Sequence, residues 1–368
     1  MKRRTATGIL LGTVVAHRAL KAASTTDASG PFVFVSLLEK RQIVTWRRDG
    51  ESGKLTRIAV TECPAEPANT LGSADGKFLF VSLRSSSELA SYSIDRSSGK
   101  LTLIYVVPAG DDPAYLLLDR TGRFLLTAYY VSNKVTVHSV SDDGTLSASP
   151  VDSKSTAQNA HGVCIDSKNA YVRVSHTGAN RIDQFRFNAT TGKLTPLDPP
   201  FVVAPAGQNP RHIVLHPSDR WAYCSNEAGS SSEDGASCYE CDVQSGQLHL
   251  VQSVRSVPSD FDATQNSTAE CLLTSDGKFL YVANRGHNSL AGFAVDQSTG
   301  RLKLISITPT EAVPRSFAIS KDNRFLYAAG EATGKIACFR IEPNGQLTRF
   351  DTLESGPVSW CITCVESD

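Results

Sequence analysis

A short apolar segment recurs seven times along the chain, and this repetition constrains the fold more than any other feature of the sequence. Each copy is rich in strand-forming residues, and the copies begin at Phe32, Phe78, Phe124, Ala170, Trp221, Phe279 and Phe325. Successive copies are 46, 46, 46, 51, 58 and 46 residues apart. A repeat of about 40 to 50 residues made of short strands is typical of a β-propeller, in which each repeat is one small sheet.

The rest of each unit supports the same interpretation. Several of the apolar segments follow a turn such as Asp75-Gly76 or Asp276-Gly277, which is a hairpin signal. Each unit then has an alternating strand and a Gly-x-Leu sequence; the glycines are Gly53, Gly99, Gly144, Gly192, Gly246, Gly300 and Gly345. We therefore predict an all-β fold, a seven-bladed β-propeller with four-stranded blades.

The ring is predicted to close through the C-terminus. In six units another strand starts eleven residues before the apolar segment, at Pro67, Pro113, Asn159, Pro210, Thr268 and Pro314, but the first unit has none. The chain ends with a matching strand at residues 357–365, which we expect to complete the first blade. This closure pairs two sheet edges. We predict one propeller domain over residues 29–368, preceded by a leader or disordered extension over residues 1–28.

Charge and hydropathy exclude two classes of protein. The chain has 37 basic and 37 acidic residues, so it lacks the basic surface of a nucleic-acid binder, and no apolar stretch is long enough to span a membrane. The first 26 residues contain five basic residues and no acidic one. If they form a targeting segment, the protein is exported or organellar; otherwise we expect it in the cytoplasm. We expect a monomer.

Charged residues concentrate where one mouth of the central channel is predicted. The start of the first strand and the end of the second strand of each blade lie at the same end of a propeller. Seven residues lie two positions after the predicted start of each inner strand, which is Pro67 and its equivalents in the other units: Asn69, Tyr115, His161, His212, Glu270, Ser316 and Ser359. Seven more lie six positions after the first residue of each apolar segment: Leu38, Arg84, Tyr130, His176, Glu227, Arg285 and Glu331. Arg211 and Arg315 stand where other units have alanine or valine. The fold needs no arginine there, so these residues indicate a site.

The residue types at this mouth favour a small anionic ligand. Arginine presents forked donors that fit a carboxylate or a phosphate, whereas several neighbouring guanidinium groups oppose a bound metal cation. We therefore predict no metal and no cofactor. Glutamate and histidine in the same cluster are candidate acids and bases.

At these positions the sequence resembles the seven-bladed lactonase family, which includes propeller-type 6-phosphogluconolactonases and fungal carboxy-cis,cis-muconate cyclases. Residues 209–217, NPRHIVLHP, and 221–227, WAYCSNE, resemble its most specific motif. Ala160-His161, residues 276–285, DGKFLYVANR, and residues 309–315 with 327–330 agree with the family pattern. The resemblance covers roughly residues 32 to 368.

The resemblance implies an active site. It identifies His161, Glu227 and Arg285 as catalytic, and Arg211, His212, Arg315 and Glu270 as substrate-binding. As a hypothesis for lactone hydrolysis, Glu227 or His161 deprotonates water and Arg285 stabilises the oxyanion, while Arg211 and Arg315 hold a phosphate or carboxylate. Glu270 stands where the family often has aspartate.

The predicted function is that of a 6-phosphogluconolactonase-like hydrolase, which opens a phosphorylated sugar lactone at the channel mouth. Two alternatives remain open at this point. One is a lactonising isomerase like the muconate cyclases, and the other is a propeller that only binds a partner.

Overall fold

The protein forms a ring of seven four-stranded antiparallel blades. The structure, a computed structural model, describes Met1, residues 30–227 and residues 234–366. Blade 1 contains β1 (Phe32–Leu37), β2 (Gln42–Arg48), β3 (Leu55–Glu62) and β28 (Ser359–Val365). Blade 2 contains β4 (Pro67–Gly72), β5 (Phe78–Leu83), β6 (Glu88–Ile94) and β7 (Leu101–Pro108). Blade 3 contains β8 (Pro113–Leu118), β9 (Phe124–Tyr129), β10 (Lys134–Ser139) and β11 (Asp152–Ser155).

The remaining blades follow the same order. Blade 4 contains β12 (Ala160–Ile165), β13 (Tyr171–His176), β14 (Arg181–Asn188) and β15 (Lys193–Val203). Blade 5 contains β16 (Pro210–Leu215), β17 (Trp221–Asn226), β18 (Asp234–Cys241) and β19 (Leu248–Arg255). Blade 6 contains β20 (Thr268–Leu273), β21 (Phe279–Asn284), β22 (Ser289–Val295) and β23 (Leu302–Pro309). Blade 7 contains β24 (Pro314–Ile319), β25 (Phe325–Gly330), β26 (Lys335–Ile341) and β27 (Leu347–Glu354). Within the described ranges, the only helical element is a 3₁₀ turn, Ala263–Gln265.

The C-terminal strand closes the ring, as predicted. β28 pairs antiparallel with β1, with Phe34 opposite Thr363 and Phe32 opposite Val365. Strands from near both ends of the domain are therefore held in one sheet, and β28 pairs with the edge of β1 that would otherwise be unpaired. The division into a leader over residues 1–28 and a domain over residues 29–368 stays a prediction, because residues 2–29 and 367–368 lie outside the described residues.

The hydrophobic core is divided into seven clusters, one between each pair of neighbouring blades. For example, Phe34 and Leu79 belong to the cluster that joins blades 1 and 2, and Val44 and Tyr327 belong to the one that joins blades 1 and 7. Five further clusters join the remaining neighbours. Each blade is therefore stabilised by burial against both of its neighbours, as the stacking of a repeat architecture requires.

The repeated Gly-x-Leu sequence has a packing reason. Gly300, at φ +69°, lies so close to Trp221 of the preceding blade that a Cβ would be 2.3 Å from the indole Cδ2. Gly246, at φ +80°, stands in the same relation to Tyr171, at 2.3 Å. Only glycine combines this left-handed backbone with this close approach, because it has no Cβ. The repeat thus places one aromatic ring of each blade under a glycine of the next.

This contact shows that the predicted alignment of blade 4 was wrong by one residue. The ring under Gly246 belongs to Tyr171, so the anchor is Tyr171 and not Ala170. β12 accordingly starts at Ala160, which pairs with His176 as Pro210 pairs with Asn226. His161 is therefore equivalent to Arg211 rather than to His212. His176 lies at the end of β13, is fully buried, and does not belong to the ring of residues that follow this strand.

The predicted alignment of the C-terminal strand was wrong by two residues. Leu37 pairs with Ser359, as Leu83 pairs with Pro67 in blade 2. Trp360 and Cys361, not Val358 and Ser359, therefore occupy the first inward positions of this blade. In four blades, which include the two misaligned ones, a residue with positive φ precedes the inner strand: Asn159, Asn209, Val313 and Val358 have φ values of 58°, 52°, 55° and 50°. Aligning on Pro357 therefore missed the true start.

Among the described residues, no helix is long and apolar enough to cross a membrane.

Candidate active site

A β-bulge at the start of the innermost strand turns two consecutive side chains toward the channel mouth. In β16, Pro210 pairs with Asn226 while Ile213 pairs with Cys224, so three steps on one strand match two on the other. Such a bulge breaks the strict alternation of side chains. Arg211 and His212 therefore both reach the same cavity, although a regular strand would point them to opposite faces.

The cavity at this mouth has a volume of about 170 Å³. Its lining combines three arginines, two histidines, two glutamates and two large aromatic residues. The lining residues are Ala68, Asn69, Arg84, Pro113, Ala114, Tyr130, His161, Arg211, His212, Glu227, Glu270, Arg315, Ser316, Trp360 and Cys361. The cavity therefore has a mixed but net positive lining when both histidines are neutral.

His161 is a buried imidazole with an unusual environment. Its ring lies 4.9 Å from the His212 ring and 5.9 Å from the Tyr130 ring, measured between centroids. Its Nδ1 atom is buried and has no hydrogen-bond partner among the described residues. Burial, followed by the positive charge of Arg211, holds the pKa of His161 well below its usual value. The imidazole is therefore neutral at physiological pH.

Glu227 holds two arginines together. Its Oε1 atom lies 3.4 Å from Nε of Arg211 and 2.5 Å from Nη2 of Arg285. Burial raises the pKa of Glu227, but Arg211 and Arg285 outweigh this effect and lower it overall. Arg211 is only 2% exposed, and burial lowers its pKa to about 9, with repulsion from Arg285 adding to the effect. Both groups are charged near neutral pH.

Arg285 differs from the other predicted site residues. Its Nη2 atom donates to Glu227, to the Ser267 hydroxyl at 2.5 Å and to the Thr268 carbonyl at 3.2 Å. The residue does not line the cavity. Its guanidinium group is thus bound to protein acceptors behind Glu227.

His212 and Glu270 form a second hydrogen-bonded unit. Nδ1 of His212 lies 2.5 Å from Oε1 of Glu270, and Nε2 lies 3.3 Å from Nη1 of Arg211. A proton on Nδ1 that is donated to Glu270 leaves Nε2 to accept from Arg211. Both histidine nitrogens are then in use, and this unit fixes the position of the Arg211 guanidinium.

The structure brings six of the seven predicted site residues to one cavity, and Arg285 lies directly behind it. Sequence reasoning assigned no role to Trp360, because the misaligned C-terminal strand hid its equivalence to Arg211. For Arg84 the sequence leaves ligand contact and a solvated rim position equally open, and it predicts a packing role for Tyr130; both residues line the cavity. The extra length of two units in the sequence also predicts that two insertions, Ala228 to Ala236 and Ser256 to Ser267, border the mouth. Ser267, at the end of the second, contacts Arg285; of the first, Ala228 to Ala236, residues 228–233 lie outside the described residues.

Comparison with known proteins shows the family of this chain. Residues 26–364 match the model of the family described as lactonase, seven-bladed β-propeller. The chain belongs to this family. Among curated relatives, the 6-phosphogluconolactonase of Yersinia pestis strain Pestoides F is 32% identical over 227 residues, which cover 61% of this chain and 65% of the relative. The chain thus spans somewhat less than two thirds of the length of this relative.

Solved structures agree on the fold. The periplasmic gluconolactonase of Pseudomonas aeruginosa is 25% identical, with a TM-score of 0.81 over 92% of this chain and 99% of that one. A Bacteroides fragilis protein of solved structure is also 25% identical, with a TM-score of 0.82 over 94% of this chain and 100% of that one. Nothing in these comparisons favours the muconate cyclase alternative.

Proposed function

We propose that this protein is a lactonase of the 6-phosphogluconolactonase type, which hydrolyses a phosphorylated sugar lactone at the mouth of the central channel. The observation that carries the proposal is the convergence of the neutral His161 with the buried cation Arg211 in one small cavity of a lactonase-family propeller. This pair supplies a proton acceptor and a donor for a developing negative charge. The names of the relatives described above support the same reaction class.

His161 is the proposed general base. Its neutral imidazole can accept a proton, and because Nδ1 is buried, Nε2 is the nitrogen directed to the cavity. Glu227 is a weaker candidate, because two arginines stabilise its charged form and lower its pKa. Glu227 instead positions Arg211 through its negative charge, and Arg285 positions Glu227 through a second salt bridge.

Arg211 is the proposed oxyanion donor. Glu227 and the His212–Glu270 unit fix its guanidinium, so little reorganisation is needed when charge develops on the substrate. This assignment differs from the sequence hypothesis, which gave the oxyanion to Arg285. In the structure the nearest acceptors of Arg285 are protein atoms, so we propose that Arg285 positions Glu227.

The proposed reaction balances without any cofactor. A water molecule attacks the lactone carbonyl carbon and gives one proton to His161, while the carbonyl oxygen becomes an oxyanion beside Arg211. The tetrahedral intermediate collapses, the bond from the carbonyl carbon to the ring oxygen breaks, and the imidazolium returns the proton to that oxygen. The product is a hydroxy acid, which ionises at neutral pH.

The test is the rate of acid release from freshly prepared 6-phosphoglucono-δ-lactone, with spontaneous hydrolysis subtracted and glucono-δ-lactone run in parallel. We expect the full chain to accelerate hydrolysis, and His161→Gln to lower kcat by about 100-fold or more. Exposed Arg41→Met, at the same end of the ring, is the control and should be unchanged. Absence of acceleration with both lactones would reject the proposal.

A further inference from the structure

Two cavity arginines that the proposed mechanism does not need for catalysis lie over one tryptophan. The Cζ atom of Arg315 is 3.7 Å from the centroid of the Trp360 ring, and that of Arg84 is 5.1 Å from it. All three residues line the cavity. Their contacts are with Trp360 and with flanking carboxylates, whereas the proposed catalytic groups are His161 and Arg211, and Glu227 positions Arg211.

Each of these two arginines forms a salt bridge with a neighbouring carboxylate. Arg84 donates through Nη2 to Asp112, and Arg315 lies with Nη1 3.5 Å from Oε2 of Glu331. In each pair only one guanidinium nitrogen contacts the carboxylate. Among the described residues no other acceptor is assigned to either guanidinium, so further donors of both are available to a ligand. A guanidinium group has five N–H donors, which can serve a carboxylate and a ligand together.

The fold does not require these side chains. At the position of Arg315 and Trp360 other blades have Ala68, Ala114 and Ala269, and at the position of Arg84 the first blade has Leu38. Burial of Arg315 among positive neighbours is also unfavourable, since burial and the charges of Arg285 and Arg84 lower its pKa to about 10 despite Glu331. A ligand carrying negative charge would relieve this repulsion.

We propose that Arg84 and Arg315 form a subsite for a phosphate monoester and that Trp360 is the positioning residue that keeps the two guanidinium groups on it. The proposal rests on the lactonase function proposed above and adds the group that distinguishes phosphorylated from unphosphorylated lactones. The phosphate has three oxygens that can accept from both arginines, and its charge of nearly −2 at neutral pH matches two cations. The indole face holds the guanidinium groups through cation–π contact.

The decisive experiment measures binding, so that it does not depend on turnover. Isothermal titration of the full chain would compare 6-phosphogluconate, gluconate and glucarate, which carry a phosphate, a hydroxyl and a carboxylate at carbon 6. We expect 6-phosphogluconate to bind at least tenfold more tightly than the other two. Arg84→Met and Trp360→Leu should weaken its binding about 10- to 100-fold and leave gluconate unchanged. Trp360→Phe should recover most of the loss, because it restores an aromatic face.

Arg41→Met removes a positive charge from the same end of the ring and is the matched control; its binding should equal that of the unaltered chain. Circular dichroism and the thermal midpoint would show that each variant is folded. Equal weakening of 6-phosphogluconate and gluconate, equal effects on glucarate, or no recovery in Trp360→Phe would overturn the subsite. If the chain binds 6-phosphogluconate in this way but opens no lactone, the subsite stands and the proposed hydrolysis fails.

Discussion

The contact between each Gly-x-Leu glycine and the aromatic ring of the preceding blade predicts a measurable energy for ring assembly. Replacing Gly300 by alanine has two effects. The left-handed backbone at φ +69° disfavours a Cβ by roughly 1–2 kcal/mol. The new Cβ would also lie 2.3 Å from the buried ring of Trp221, which must shift, and such overpacking costs about 1–3 kcal/mol. We therefore expect the free energy of unfolding to fall by about 2–5 kcal/mol.

Gly122→Ala separates the two effects. Gly122 has nearly the same backbone angle, φ +71°, but a Cβ there would meet nothing within 4 Å. Urea unfolding, followed by circular dichroism, should therefore give a loss of only about 1–2 kcal/mol for this variant. The difference between the two variants measures the packing between blades. If both variants lose the same stability, within about 0.5 kcal/mol, the interface explanation of the repeat is wrong.

Three further predictions concern the site. With glucono-δ-lactone, kcat/KM should change little from pH 7.5 to 6.0, because the lowered pKa of His161 keeps the base neutral; a base of ordinary pKa 6.5 would keep only about a quarter of its activity at pH 6.0, and this loss would exclude His161. Arg315→Met removes a positive charge that lowers the His161 pKa, so the acidic limb of the profile should move to higher pH, and an unmoved limb would contradict the assignment. Arg285→Ala should lower kcat by about tenfold with recovery in Arg285→Lys, since Nη2 alone holds Glu227; a loss of 100-fold or more that lysine does not recover would return the oxyanion role to Arg285.

The sequence predicted the architecture well because the repeated signals are local. Hairpin turns, alternating strands and the Gly-x-Leu sequence can each be recognised within a few residues. Because the pattern occurs seven times, a weak pattern in one unit can be identified from the other six. The alignments of blade 4 and of the C-terminal strand were wrong because the start of the inner strand in these blades is marked by a backbone conformation and not by a residue type. Asn159 and Val358 carry the positive φ that precedes the inner strand, and neither a proline nor a fixed spacing identifies that angle in these blades.

Only part of the site could be predicted, because the repeat fixes where a residue lies on the ring but not where its side chain points. The position of a residue on the ring follows from the repeat, and so His161, Arg211 and Glu227 were found together. The direction of a long side chain does not follow from it. Arg285 turns to Glu227, 58 residues earlier in the chain, instead of to the cavity, and Trp360 lies under arginines from blades 2 and 7. Such contacts depend on side-chain packing across blades, which a single repeat does not encode.

The central claim is that the cavity at the channel mouth binds and opens the lactone, and a crystal structure with the reaction product 6-phosphogluconate tests it most directly. The account predicts the product carboxylate beside Arg211 and His161, and the phosphate between Arg84 and Arg315. Product bound elsewhere on the ring, or bound in the cavity with no contact to Arg211, would contradict the account.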